Sequence, residues 1–179
     1  EIQYIWENFK TAEMQDYFKN ACVINQNLDK AWNEIEEKTA IIYPILLRDR
    51  MEVLVGYGHT IEQFTVTISE KNVANLVNTL LNNMHQKLEV SRNHELYNLL
   101  IKPVQRLLDE NNISTIVYLP DGPLRRVPLG MLTDGKQYLL EKYAIATAPG
   151  LSMLNYNKTV NANKNILLAG MSKPGPVVY

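Results

Sequence analysis

The stretch Ile113-Ser114-Thr115-Ile116-Val117-Tyr118-Leu119 runs straight into Pro120-Asp121-Gly122-Pro123-Leu124-Arg125-Arg126-Val127-Pro128-Leu129. A short apolar run rich in β-branched residues, closed by a Pro-Asp-Gly-Pro turn signal, predicts a buried strand that stops abruptly. In open α/β sheets ligands gather beyond the carboxyl ends of the strands. Two adjacent arginines in a proline-stiffened loop at that place can grip a carboxylate or a peptide backbone. Asp121, Arg125 and Arg126 are therefore the candidate substrate-pocket residues. The plainer alternative is a turn in which Asp121 caps local amides and the arginines are solvated.

On the N-terminal side of this stretch, Leu96, Leu99, Leu100, Val104, Leu107 and Leu108 keep helical phase across Pro103. The missing amide and the ring of Pro103 predict a kinked or split helix, and Asn111-Asn112 should end it. Before it, Val73, Leu76, Val77, Leu80, Leu81, Met84 and Leu88 follow the i, i+3, i+4, i+7 pattern, with Ser69-Glu70 as the start signal. Between Thr39 and Ser69 the texture is that of strands: Ile41 to Leu47, Met51 to Val55 and Phe64 to Ile68, separated by Arg48-Asp49-Arg50 and Gly56-Tyr57-Gly58-His59. An antiparallel meander of about three strands is expected, and Pro44, lacking an N–H, suggests that its first strand lies at an edge. In residues 1–38 Ile2, Ile5, Trp6 and Phe9, then Met14, Tyr17, Phe18 and Ala21, predict two helices or one broken one. Trp32 and Ile35 extend the pattern, and the aromatics are expected to face the core.

On the C-terminal side, Val127 to Leu132 is too short to assign and Thr133-Asp134-Gly135-Lys136 predicts a tight turn. Gln137 to Thr147 reads as a strand, Leu151 to Tyr156 as a short helix, residues 161–165 as a polar loop, and Ile166 to Gly170 as a second buried strand. Strands and helices alternating in this way define an α/β architecture.

Composition narrows the function. The 179 residues carry 18 Lys plus Arg against 19 Asp plus Glu, a formal net charge of −1, with 46% hydrophobic residues. Such a chain can bury a core, and it lacks the basic field that draws nucleic acid or an anionic membrane. Its apolar runs are far short of the roughly 20 residues that span a bilayer. The single cysteine excludes an internal disulfide and points to a reducing compartment, so a cytoplasmic location is expected. Cys22 has no basic sequence neighbour to lower its pKa, and His59, His85 and His94 read as solvated turn or helix residues. Glu34, Glu36 and Glu37 form a charged helix face rather than a metal-ligand cluster. Neither Gly56-Tyr57-Gly58 nor the glycines of 170–175 form a phosphate loop, so no metal or cofactor is expected. The chain opens on Glu1 within an amphipathic pattern and closes in a Lys-Pro-Gly-Pro loop, which suggests a piece of a longer polypeptide.

Four ordered blocks carry a resemblance: Leu96-Tyr97-Asn98-Leu99-Leu100-Ile101-Lys102-Pro103, Leu119 to Leu129, Asp134 to Ile145, and Ala148-Pro149-Gly150-Leu151. Together they resemble the N-terminal half of a CHAT domain, the caspase-like peptidase family often fused to tetratricopeptide repeats. Leu167 to Pro174 is similar to that family's next strand and loop. The resemblance implies a partial caspase-like sheet-and-helix core over 39–179, preceded by the meander. Residues 1–38 would then be a helical linker or the end of a repeat region. It also implies a cysteine endopeptidase with a His–Cys dyad, acting on a protein or peptide substrate. The family's His stands in a Thr-His-Gly setting and its Cys in a Ser-Ala-Cys setting, and no position here matches either. Catalytic residues are thus expected in a downstream segment or a second chain, and this chain alone is expected to be inactive. Bacterial defence and activation by a protein partner are further implications of the family. A catalytically inactive scaffold, or an unrelated α+β binding domain, are the alternatives.

Overall fold

The computed structural model describes residues 2–19, 35, 37–85 and 93–151. Helix α1 (Ile2–Phe18) is followed by strands β1 (Thr39–Leu46), β2 (Met51–Tyr57) and β3 (Thr60–Val66). Helices α2 (Glu70–His85), α3 (Asn93–Leu100) and α4 (Gln105–Glu110) come next, then β4 (Thr115–Tyr118), the single-turn helix α5 (Leu139–Lys142) and β5 (Ala144–Thr147). The five strands form one mixed sheet in the order β3-β2-β1-β4-β5. The meander β1-β2-β3 is antiparallel, whereas β4 pairs in parallel with both β1 and β5. The chain is thus an α/β protein whose sheet and helices are compatible with a partial caspase-like core.

The central strands β1, β2 and β4 are buried on both faces, and their side chains alternate between the two with a period of two. Ala40, Ile42, Met51, Val53, Val55, Ile116 and Tyr118 look one way, into a cluster completed by Val73, Val77, Leu80, Leu96, Leu100, Val104 and Leu108 of the helical layer. Ile41, Tyr43, Ile45, Leu54, Val117 and Leu119 look the other way, toward Ala148, Leu151 and the half-buried Trp6 of α1. Helix α2 begins where the sequence signals it: the Ser69 hydroxyl accepts from the Asn72 N–H at 3.3 Å, and its carbonyl accepts from Val73. Pro103 splits the next helical run into α3 and α4. The intervening Ile101 and Val104 stay fully buried, so the apolar stripe survives the break. Asn111 closes α4 with its side-chain amide donating to the Leu107 carbonyl, and Asn112 adopts the left-handed conformation at φ 51°.

Three expectations need correction. Pro44 does not mark an edge: β1 lies at the centre of the sheet. The carbonyls of Lys38 and Ile42 accept from β4, so the even-numbered residues of β1 face that neighbour. The parallel pairing stops at Ile42 opposite Tyr118, and Pro44 is the next residue turned to that side. Its missing N–H ends the ladder there without placing the whole strand at an edge.

Gln137 to Thr147 is not one strand. Residues 139–142 form a helical turn, in which the Glu141 carboxylate accepts from the Tyr138 N–H at 2.6 Å in a capping arrangement, and the strand is confined to 144–147.

Tyr4, Ile5, Phe9 and Tyr17 of α1 do not face the core, whereas Trp6 does pack against it. Tyr4, Ile5 and Phe9 are 63%, 62% and 54% exposed, while Glu7 and Lys10 are 1% and 2% exposed, with Thr11 buried beside them. The loop at 133–136 matches its expectation: Asp134 accepts from the Lys136 and Gln137 N–H groups at 2.8 and 3.0 Å. Cys22, Trp32, the proposed helix at 151–156, the loop at 161–165 and the strand at 166–170 lie outside the described residues, apart from Leu151.

Candidate functional site

β4 and β5 are neighbouring parallel strands, so the segments that follow them emerge at the same edge of the sheet. Gly122 makes the bend after β4 possible: its φ of +46° is a conformation that residues with a Cβ adopt at a cost. A Cβ there would sit 3.5 Å from Leu46 at the end of β1. Pro123 then opens a 3-10 turn over Gly122–Arg126, fastened by the Leu124 N–H donating to the Asp121 carbonyl. Leu124 and Val127 plug into the apolar core, which leaves Arg125 and Arg126 pointing outward.

The two arginines do not converge. The Arg125 guanidinium donates to Glu13 of α1 and lies 3.7 Å from Asp121. Arg126 instead donates to the side-chain carbonyl of Asn78 on α2, at 2.9 Å. Asp121 faces inward to Lys10: the Lys10 ammonium donates to Asp121 Oδ1 at 3.3 Å and to the Pro120 carbonyl at 2.9 Å. It also lies 5.5 Å from the centre of the Trp6 ring, which itself stacks on Phe9.

Burial pulls the Lys10 pKa down, with the Asp121 charge opposing that shift. The hydrogen bond from Arg125 holds the Glu13 carboxyl below the usual carboxylate value, and the same bond raises Arg125. Three residues away from Lys10, the buried Glu7 carboxylate accepts from the Tyr43 hydroxyl and from the Leu151 N–H, each at 2.9 Å. Tyr118, the last residue of β4, is fully buried with its hydroxyl unpartnered. Burial pushes its pKa far upward, so it stays neutral.

Of the residues expected from sequence, Asp121 and Arg125 are thus brought together, and Arg126 stands apart on the α2 side. Glu7, Lys10, Glu13 and Asn78 were not anticipated. A signal for two of them exists: Glu7 and Lys10, with Thr11 and Met14, form a stripe at helical spacing as regular as the apolar one. His59 is exposed in the β2–β3 turn. His94 is exposed at the start of α3 and lies 3.2 Å from the Thr133 carbonyl, a bond that requires the proton on Nδ1. His94 also borders a shallow depression of about 460 Å³ with Lys136, Tyr138 and Glu141, none of them in the 119–126 loop. Among the described residues no group of three or more His, Cys, Asp or Glu side chains is placed to hold a metal ion. None of their helices is long and apolar enough to cross a membrane.

A mixed five-stranded sheet whose parallel strands end beneath a charged, proline-bounded loop defines a class: an α/β protein compatible with part of a caspase-like core. The family comparison agrees. Residues 91–175 match the family model of the CHAT domain, in agreement with the resemblance carried by the four sequence blocks. The match takes in α3, α4, β4 and β5 together with the Asp121–Arg126 loop. None of the curated proteins compared matches the chain.

Proposed function

We propose that this chain is the N-terminal, sheet-forming part of a regulated caspase-like cysteine endopeptidase that cleaves a protein substrate in the cytoplasm. Its catalytic His and Cys come from polypeptide beyond these 179 residues or from a second chain. The observation that carries the proposal is the CHAT match over 91–175, on a chain whose parallel strands end at one edge. Within this chain the role is to build the sheet and to wall one side of the substrate cleft. Arg126 is the residue of the loop suited to meet substrate: among the described residues its charge faces only a neutral amide, so a peptide carboxylate can displace Asn78. Asp121 and Arg125 border the same cleft while engaged with α1. Association with helical repeats, a role in defence and an activating protein partner belong to the same proposal.

The test is peptide-bond cleavage by the complete natural polypeptide that contains this chain. Cleavage abolished by iodoacetamide but retained in Cys22→Ala is expected, with the Michaelis constant for acidic peptides raised in Arg126→Ala. Thiol-independent cleavage, or cleavage lost in Cys22→Ala, overturns the assignment. The 179-residue chain alone is expected to cleave nothing.

A further inference from the structure

Three charged residues of α1 reach separate parts of the edge where the parallel strands end. Lys10 donates to the Pro120 carbonyl and to Asp121, directly after β4. Glu13 pairs with Arg125 at the far end of the same loop. Glu7 accepts from the Leu151 N–H, beyond the end of β5, and from Tyr43 of β1. Residues 7 to 13 of one helix span only about 9 Å along its axis, at 1.5 Å per residue. A rigid element of that length cannot leave one loop without leaving the other. From this geometry we infer that α1 is a latch that couples the 119–126 loop to the segment 148–151, so that both hold their arrangement while α1 is seated and loosen together when it lifts.

The polarity of α1 is what makes it a latch rather than a fixed wall. An amphipathic helix ordinarily buries its apolar stripe and is held by non-directional area. Here the buried face is Glu7, Lys10 and Thr11, and the exposed face carries Tyr4, Ile5 and Phe9. Buried charges bind only in the geometry that satisfies them, and they regain hydration as soon as the helix departs. The seated state is therefore sharply defined, and the apolar surface that α1 itself uncovers on lifting is that of Trp6 rather than a full apolar stripe. The inference stands on these contacts and does not depend on the peptidase assignment.

Hydrogen–deuterium exchange of the full chain tests it at amides remote from each substitution. The reporters are Leu124 and Val127, whose N–H groups close the 3-10 turn, and Leu151. The β2–β3 hairpin at 51–66 is the internal reference. Lys10→Met keeps the buried stem but removes the charge, and is expected to speed exchange at Leu151, which Lys10 does not touch, by about tenfold or more. Glu7→Gln is expected to do the same at Leu124 and Val127. If each variant loosens only its own loop, the contacts are independent and the latch is wrong. It is equally wrong if neither remote reporter changes, or if the hairpin accelerates in step with them.

Discussion

The two faces of the sheet are covered by helices of opposite logic. On one, α2, α3 and α4 press Val73, Val77, Leu80, Leu96, Leu100 and Leu108 against Ile42, Val53, Val55 and Ile116. On the other, α1 meets the sheet through Glu7, Lys10 and Thr11, with Trp6 as its apolar contribution to the cluster around Ile41 and Tyr43. The first cover is strong and indifferent to small displacements, since apolar burial scales with area. The second is weak in net free energy and exacting in geometry, since each hydrogen bond replaces one made to water. A fold can in this way have a permanent side and a side whose contacts are specific enough to be made or unmade.

The sharpest way to break this contrast is to weaken the apolar side. Leu96→Ala should cost about 2–5 kcal/mol, as large-to-small changes at fully buried positions do, read as a lowered urea midpoint for the whole chain. A loss confined to the helical layer would show that the two faces do not share one cooperative core. Next comes Lys10→Met, which removes charge-assisted bonds worth about 1.5–3 kcal/mol while keeping the aliphatic stem. Its effect should fall on α1 and the loops at 119–126 and 148–151 before global unfolding begins.

Acid should separate the faces further. Glu13 has a folded-state pKa below its unfolded value of 4.5, so the unfolded chain binds more protons in that window. The stability contributed by its pairing with Arg125 is fully present above about 4.5 and is lost as pH falls through the depressed folded value. Protection at α1, taken relative to the intrinsic exchange rate at each pH, should therefore fall on acidification before protection in α2, and Glu13→Gln should flatten that response. An acid response unchanged in Glu13→Gln would assign it to other carboxylates. The smallest effect is expected at Ile5, where Ile5→Gln should alter the unfolding free energy by less than about 0.5 kcal/mol, as exposed substitutions do. A loss of several kcal/mol would restore the conventional picture of α1 as an apolar cover.

The residues that decide the fold are largely local in their effects, and they were legible as such. Gly122 and the flanking prolines stop β4, Pro103 splits a helix, Ser69 starts another, and alternating apolar residues make the meander. Each acts through its own backbone or its nearest neighbours in sequence. The resemblance to the CHAT domain rested on the blocks at 96–103, 119–129, 134–145 and 148–151, and the family match agrees with it over 91–175. The candidate site was only half legible. Asp121 and Arg125 could be nominated from their turn, whereas Glu13 and Lys10 lie more than a hundred residues away and come to them only through packing.

What the sequence determined by itself, then, was where elements begin and end, because caps, prolines and periodicity act within a few residues. Tertiary structure alone decided which side each element turns inward. The central place of β1 despite Pro44 depends on which of its neighbours has already ended. The inward polar face of α1 depends on the Pro120 carbonyl, the Leu151 amide and the Tyr43 hydroxyl, buried groups that need partners when water is excluded. Tyr4, Ile5 and Phe9 stay exposed while these partners are satisfied, and the polar stripe through Glu7, Lys10 and Thr11 does not by itself say that it, rather than the apolar one, turns inward.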